Sequence, residues 1–407
     1  MLDLLGITGI SFVFLITLYF SLLYKEIFKI LIIAYLVRIL FLIINNNFFY
    51  LPDGDMDGLI FEQRGWNWSQ DGFINLFKYY NGPGTYFYSL LIAIPYSILG
   101  RSFLFIQSFS ILFGIGSVLI GYLIGKKLWG NNIAIKATWI IALFPSIVSY
   151  SVLAMREVYI TFFILLAING IIEWSRNKTF KSIIIITLSF IAATFFHGAS
   201  AIGLLVFLLI ISLENLKKIL KLILNQKINL KILVVTICSS VVILAYVFNK
   251  FDIPYMDNFK TASDPDHLKF VINDKIKGDA AYPEWTRINS NSELIYKIPI
   301  RAIYFLISPL PWEIYKTSHL LGMVDSILYM FLIFLIFRNR KVIWKDPGLR
   351  IILLILVSYF IVFGVGVGNF GSGIRHRTKF VIGLILLAAP LIPRLIIFKK
   401  NWLKKIK

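Results

Sequence analysis

The sequence predicts an all-α polytopic membrane protein with about eleven transmembrane helices and interfacial helices in two longer outer loops. Three observations carry this reading. Of the 407 residues, 58% are hydrophobic and only 15% charged, and mean hydropathy is +0.80, a composition that no soluble domain of this length tolerates. Apolar runs of about 17–25 residues recur along the chain, the length that crosses a bilayer core as a helix. The formal net charge of +20 is spread in short Lys/Arg clusters between those runs, as the positive-inside rule requires. Nucleic acid is therefore not the expected partner. The single cysteine, Cys238, sits in an apolar run, so no disulfide within the chain and no cysteine metal site is expected. The first apolar run lacks the basic start and small-residue site of a cleaved signal peptide.

Taken in order, Leu4–Leu23 is a span, and Lys25, Glu26 and Lys29 mark a tight cytoplasmic turn. Ile30–Ile44 returns to the outer side and delivers the acidic stretch Leu51–Gly72, LPDGDMDGLIFEQRGWNWSQDG. This first outer loop, residues 45–102, ends in the apolar segment Gly84–Gly100, which Pro95 interrupts. It is read as interfacial or re-entrant, because a crossing there would put Lys126, Lys127 and Lys136 outside. Spans follow at Phe103–Gly125 and at residues 133–152, 157–173, 180–196, 199–213 and 230–248. A second outer segment, 249–318, ends in Ile298–Tyr315, broken by Pro299, Pro309 and Pro311 and also placed at the interface. Spans near 319–337, 350–367 and 380–397 complete the count, with a basic outer loop, 368–379, before the last. The clusters Arg176–Lys181, Lys217–Lys231, Arg338–Arg350 and Lys399–Lys407 then all fall inside. The chain reads as one integral membrane domain with its N-terminus outside and its C-terminus inside.

No nucleotide-binding loop, soluble catalytic domain or convincing internal repeat is visible, so the chemistry must come from outer loops and span ends. Four features offer it. Asp53, Asp55 and Asp57, with Glu62 and Arg64 close behind, crowd carboxylates against a membrane surface, where they are costly unless they bind a cation or move a proton. Such a triplet can hold a divalent metal (Mg²⁺ or Mn²⁺, through Asp53, Asp55 and Glu157) or supply a general base. Asp55, flanked by two acids that would raise its pKa, is the expected base. Arg156–Glu157 opens a span on the same face, as an ion pair or as part of the site. Arg375-His376-Arg377 places cationic groups outside, against the charge rule, so an anion is the expected compensation, and arginine forks bind phosphate in a bidentate manner. Arg301 beside Ser308–Glu313 and His197 in an outer turn are weaker candidates for substrate contact. Trp312 reads equally as an aromatic-belt anchor.

The run from Arg101 through Ile120, then YLIGKKLWGNN (122–132), ALFPSIVSYS (142–151) and Arg156–Glu157 before an apolar span, resembles the N-terminal half of membrane glycosyltransferases of the GT-C superfamily. The resemblance covers roughly residues 50–180. The Arg375-His376-Arg377 loop and the SPLPWE stretch look like polytopic proteins of bacterial surface-polysaccharide clusters, including O-antigen polymerases. The chain departs from the GT-C pattern in an extra span before the acidic loop and in having no large soluble C-terminal domain. The resemblance implies glycosyl transfer from a polyprenyl-phosphate or polyprenyl-pyrophosphate sugar at the outer face of the bacterial cytoplasmic membrane. One of Asp53, Asp55 and Asp57 would be the first-loop catalytic acid and Glu157 the second-loop acid. Repeat-unit polymerisation beside a chain-length regulator is the expected role. A single-sugar transferase and a flippase for lipid-linked sugars are the alternatives.

Overall fold

The computed structural model describes residues 3–224, 264–316 and 318–393, apart from Asn81, Pro83 and Thr85. The expected span at 230–248, Cys238 and the cluster Lys399–Lys407 lie outside the described residues, as do parts of the 249–318 segment and of the last span. Among the described residues the fold is all helical, with one isolated bridge between Ala281 and Asn369. The polytopic class is the one expected. Among the described residues seven helices are long and apolar enough to cross a membrane, and three shorter apolar helices accompany them, Phe87–Leu99, Phe180–Phe196 and Val381–Leu391.

Among the described residues, those up to 224 form ten α-helices: α1 (Leu4–Leu23), α2 (Phe28–Asn47), α3 (Asp57–Ser69), α4 (Phe87–Leu99), α5 (Phe103–Trp129), α6 (Asn131–Leu143), α7 (Pro145–Tyr150), α8 (Glu157–Asn177), α9 (Phe180–Phe196) and α10 (Ala201–Leu224). The second half adds α11 (Pro265–Asp274), α12 (Asn291–Ile307), α13 (Ser318–Lys345), α14 (Pro347–Gly366), α15 (Phe370–Thr378) and α16 (Val381–Ala388). Helix α5, about 40 Å long at 1.5 Å per residue, packs on α1, α2, α6, α8 and α16. Ser102 caps it by accepting from Phe105 N at 3.1 Å and donates to Asp3. Asp3 in turn caps α1 at Gly6 N. These linked caps put the N-terminal ends of α1 and α5 together.

Charge separates along the bundle. At the end opposite Ser102, Lys126 pairs with Glu26 at 3.2 Å, Lys127 with Glu173 at 3.1 Å and Lys178 with Glu214 at 3.0 Å. Arg176 donates to the Lys127 carbonyl there. The Ser102 end carries Asp3, the first acidic loop and the start of α8.

Two elements differ from the sequence reading. The run at 133–152 is not one span: Pro145, which cannot donate an amide hydrogen bond, breaks it into α6 and α7. Arg38, fully buried in α2, donates from Nη1 to Ala142 O at 3.2 Å. It thus places a cation on a carbonyl freed at the C-terminus of α6. Gly114 leaves room for it, since a Cβ there would meet Arg38 Nε at 3.0 Å. Residues 371–377, expected as a loop, form most of helix α15, capped by Asn369 Oδ1 accepting from Ser372 N at 2.8 Å. Backbone pairing of Tyr282 N with Gly368 O and of Phe370 N with Ala280 O docks the start of that helix.

Candidate active site

The strap between α7 and α8, Ser151–Arg156, is buried throughout. It crosses beneath the first loop and ends where α8 begins with Glu157, whose side chain is 1% exposed. Three cations converge on Glu157 Oε1, none at hydrogen-bond distance: Lys379 Nζ at 3.6 Å, Arg375 Nε at 3.9 Å and Arg156 Nε at 3.9 Å. Arg156 also donates to Phe196 O at 3.1 Å. Arg375 lies between the two acidic segments. Its Nη1 pairs with Asp57 Oδ2 and lies 3.9 Å from Asp53 Oδ1.

Asp53 is held by backbone and partner together. Its φ of +67° is in the left-handed region, which aspartate tolerates better than most side chains. That conformation turns the loop so that Gly54 N reaches Leu51 O at 2.8 Å. Tyr150 OH, at the end of α7, donates to Asp53 Oδ2 at 2.8 Å. Burial pushes the Asp53 carboxyl above its ordinary value of 3.8, against the opposing pull of Arg375 and the Tyr150 hydrogen bond. The Arg375 guanidinium is raised further by Glu157, Asp53 and Asp57 despite its own burial, so it is a permanent cation. Burial brings Lys379 down to about 7, against the attraction of Glu157. The Lys379 ammonium lies 2.7 Å from His376 Nδ1. Burial holds His376 and His197 well below the usual imidazole range, so both are neutral and Nδ1 of His376 accepts from the lysine. The His197 ring lies 5.4 Å from that of His376, and its Nδ1 accepts from Ala199 N at 3.3 Å, capping the turn after α9.

The structure thus brings together Asp53, Asp57, Arg156, Glu157, Arg375, His376 and His197 from the sequence-derived set. It leaves others elsewhere. Asp55 is exposed and joins no ion pair with them; it lines an open groove with Gln63, Asn67 and Arg101. Glu62 is buried and receives Arg101 on both oxygens, at 2.9 and 2.7 Å, with Tyr96 OH at 2.8 Å. It clamps α3 to α4 and to the start of α5. Arg64 lies over the Tyr86 ring at 3.5 Å.

Arg377, expected beside Arg375 on a phosphate, points the other way. It is fully buried on Asp325 Oδ2 (2.9 and 3.1 Å), Ser326 Oγ (2.9 Å) and Ser308 O (2.6 Å). Two residues along a helix lie on nearly opposite faces, which explains the split. Arg301 is likewise consumed by the carbonyls of Thr286, Val365 and Val367, and Glu313 caps its own turn at Leu310 N. Among the described residues no three His, Cys, Asp or Glu side chains group so as to hold a metal ion. The arrangement of Asp53, Asp55 and Glu157 around one ion is therefore not formed; Arg375 is the cation between Asp53 and Glu157.

Sequence reasoning missed Tyr150 and Lys379. Lys379 sits four residues after Arg375, the spacing that puts two side chains on one helical face, a signal hidden by reading 368–379 as a loop. Tyr150 lies in an apolar run of the sequence, and its role depends on the break at Pro145.

No curated protein and no solved structure matches the chain. Residues 68–259 match the family model described as dolichyl-phosphate-mannose-protein mannosyltransferase. The match spans a little under half of the chain, from α3 through the Arg156–Glu157 start of α8 and beyond α10. Over those residues, what the chain is similar to is a mannosyltransferase family within the GT-C membrane glycosyltransferases.

Proposed function

We propose that this protein is a membrane glycosyltransferase that takes its sugar from a polyprenyl-phosphate carrier, with the Asp53–Arg375–Glu157 cluster as its active site. The observation that carries the reading is the convergence of Arg375, Lys379 and Arg156 with Asp53, Asp57 and Glu157 at one end of an apolar bundle. A lipid-borne phosphate and a hydroxyl acceptor meet at such an end. The family match supports the same class of donor.

In the reaction the bond between the sugar C1 and the carrier phosphate oxygen breaks, and a bond from C1 to the acceptor oxygen forms. The electron pair stays on the leaving phosphate, and the acceptor proton moves to a base. Asp53 is that base. It is 23% exposed where Glu157 is 1% exposed, so an acceptor hydroxyl can reach it, and burial raises its pKa, the direction that makes a carboxylate a stronger base. Arg375, the permanent cation, exchanges Asp57 for the phosphate and stabilises the growing charge on the leaving oxygens. Glu157 fixes Arg375 and Lys379 from behind, and the buried walls exclude water, which strengthens each of these interactions.

The acceptor is the finer part of this reading. The family description names protein as the mannose acceptor, whereas the sequence layout favoured a glycan repeat unit in surface-polysaccharide assembly. Either presents a hydroxyl to the same base. We place the site on the extracytoplasmic face of the cytoplasmic membrane, because the opposite end carries the Lys126, Lys127, Arg176 and Lys178 cluster. The test is product formation in membranes at matched protein levels with Asp53→Asn, Asp55→Asn, Asp57→Asn and Glu157→Gln. Asp53→Asn should lose about 10²–10⁴-fold in rate, the range for a missing general base. Asp55→Asn should remain near normal. Equal activity in all four variants would remove the cluster from the reaction.

A further inference from the structure

The two acid-bearing segments of the site do not rest only on each other. Helix α2 ends in Asn45-Asn46-Asn47, and two of these amides lead into both segments. Asn45, buried, accepts from Leu51 N on Oδ1 at 3.0 Å and donates from Nδ2 to Asn46 Oδ1 at 2.9 Å. Asn46 exchanges two hydrogen bonds with Gln107 of α5, Nδ2 to Oε1 at 2.8 Å and Nε2 to Oδ1 at 3.1 Å. Gln107, fully buried, also donates from Nε2 to Val152 O at 3.1 Å. The chain of amides therefore runs without a gap from Leu51, two residues before Asp53, to Val152 in the strap that ends at Glu157.

Packing follows the same line. A Cβ on Gly54 would come within 2.6 Å of Asn45 Oδ1 and 3.3 Å of Leu153 Cδ2, so the loop sits directly on both the amide chain and the strap. Gln107 lies in the second turn of α5, close to its Ser102 cap, and a fully buried amide there is costly unless it is bonded. The residue spends its amide on fixing two loops that carry carboxylates.

We propose that Asn45, Asn46 and Gln107 form a positioning relay that sets the separation of Asp53 from Glu157, and with it the seat of Arg375 between them. None of the three touches the reacting atoms. The inference rests on the glycosyltransferase reading for its kinetic consequence, but its structural consequence stands apart from that reading. An amide network is suited to this task because it is neutral. It fixes geometry without adding a charge that would perturb the carboxylate and guanidinium groups beside it. With Gln107→Leu, the loop and the strap each lose the shared anchor, and the carboxylates drift relative to Arg375. Misplacement of about 1 Å costs on the order of 10²-fold in rate, while the donor phosphate still finds its arginine.

The experiment uses the full-length protein in detergent and in membranes, in four forms: wild type, Gln107→Leu, Asn46→Ala and the control Ser117→Ala. Ser117 is a buried hydroxyl of the same helix that donates to Phe113 O of its own helix at 2.9 Å. Two quantities are read: turnover with donor KM, and hydrogen–deuterium exchange of the segments 48–58 and 150–157. The relay predicts that Gln107→Leu and Asn46→Ala lower kcat by about 10–100-fold with donor KM changed less than about 3-fold. It also predicts faster exchange in both segments together, with the control unchanged in each respect. Faster exchange in only one segment, or in neither, would overturn the proposal. So would a fall in kcat matched by the control. Asn46 is exposed, so its variant decides the question should Gln107→Leu fail to accumulate. If the wild type shows no glycosyl transfer, the functional reading fails while the exchange result still judges the relay.

Discussion

At the scale of single residues, the decisive fact is which aspartate of the triplet meets the arginine. The sequence shows three acids at alternate positions and favours the middle one, because charge neighbours are all that spacing reveals. The fold chooses by conformation: the left-handed backbone at Asp53 and the hydroxyl of Tyr150 turn Asp53 inward, and Asp55 faces the groove. Neither factor can be read locally, since Tyr150 arrives from 97 positions away. Arg375 and Glu157 were legible because a charge beside an apolar span stands out. Lys379 was not, because a loop reading of 368–379 hides its helical spacing from Arg375. The pair predicts a bell-shaped pH dependence of kcat/KM. Asp53 must be ionised to act as a base, so activity falls on the acid side at a pH above the ordinary aspartate value of 3.8. Lys379 loses its proton near pH 7, so stabilisation of the leaving phosphate declines as pH rises through that value. A pH–rate profile of Lys379→Met should be slower overall and lack the alkaline limb. Persistence of the limb would assign it to another group.

At the scale of elements, α15 shows how one helix serves two tasks. Arg375 faces the carboxylates, while Arg377 faces away into α13 and the Ser308 carbonyl. The sequence treats the two as a matched pair, because a loop reading gives them the same surroundings. As a helix they cannot share one. The variants Arg375→Gln and Arg377→Ala should therefore separate cleanly. Arg375→Gln should accumulate normally and lose transfer activity. Arg377→Ala strands Asp325 at a site where both partners are essentially inaccessible (0% and 2%), and breaking such a pair costs about 3–5 kcal/mol. Its signature is a lowered melting temperature or poor accumulation in membranes. Arg377→Met combined with Asp325→Leu should recover much of that loss, because no orphaned charge remains. A normally stable Arg377→Ala protein would show that the arginine is not a fastener.

At the scale of the whole molecule, hydropathy made the class legible, since each long apolar helix announces itself by length. The breaks within the bundle were less visible. The α6–α7 junction depends on Pro145 and on Arg38 reaching across from α2, and α4, at 13 residues, covers only about 20 Å of a bilayer core of about 30 Å. Reporter fusions after Gly72 and after Gly100 should report the same side, and one after Lys127 the opposite side. A change of side between Gly72 and Gly100 would make α4 a crossing and move the cluster relative to the membrane. In the proposed function, the end bearing Arg375 transfers a sugar from a lipid phosphate. This is tested most directly by giving purified protein a polyprenyl-phosphate sugar labelled in the sugar, together with a membrane extract as acceptor source. Released polyprenyl phosphate and labelled product are then counted. The wild type should give both in equal amounts, and Asp53→Asn and Arg375→Gln should give neither. No release from the wild type, or undiminished release from both variants, would contradict that function.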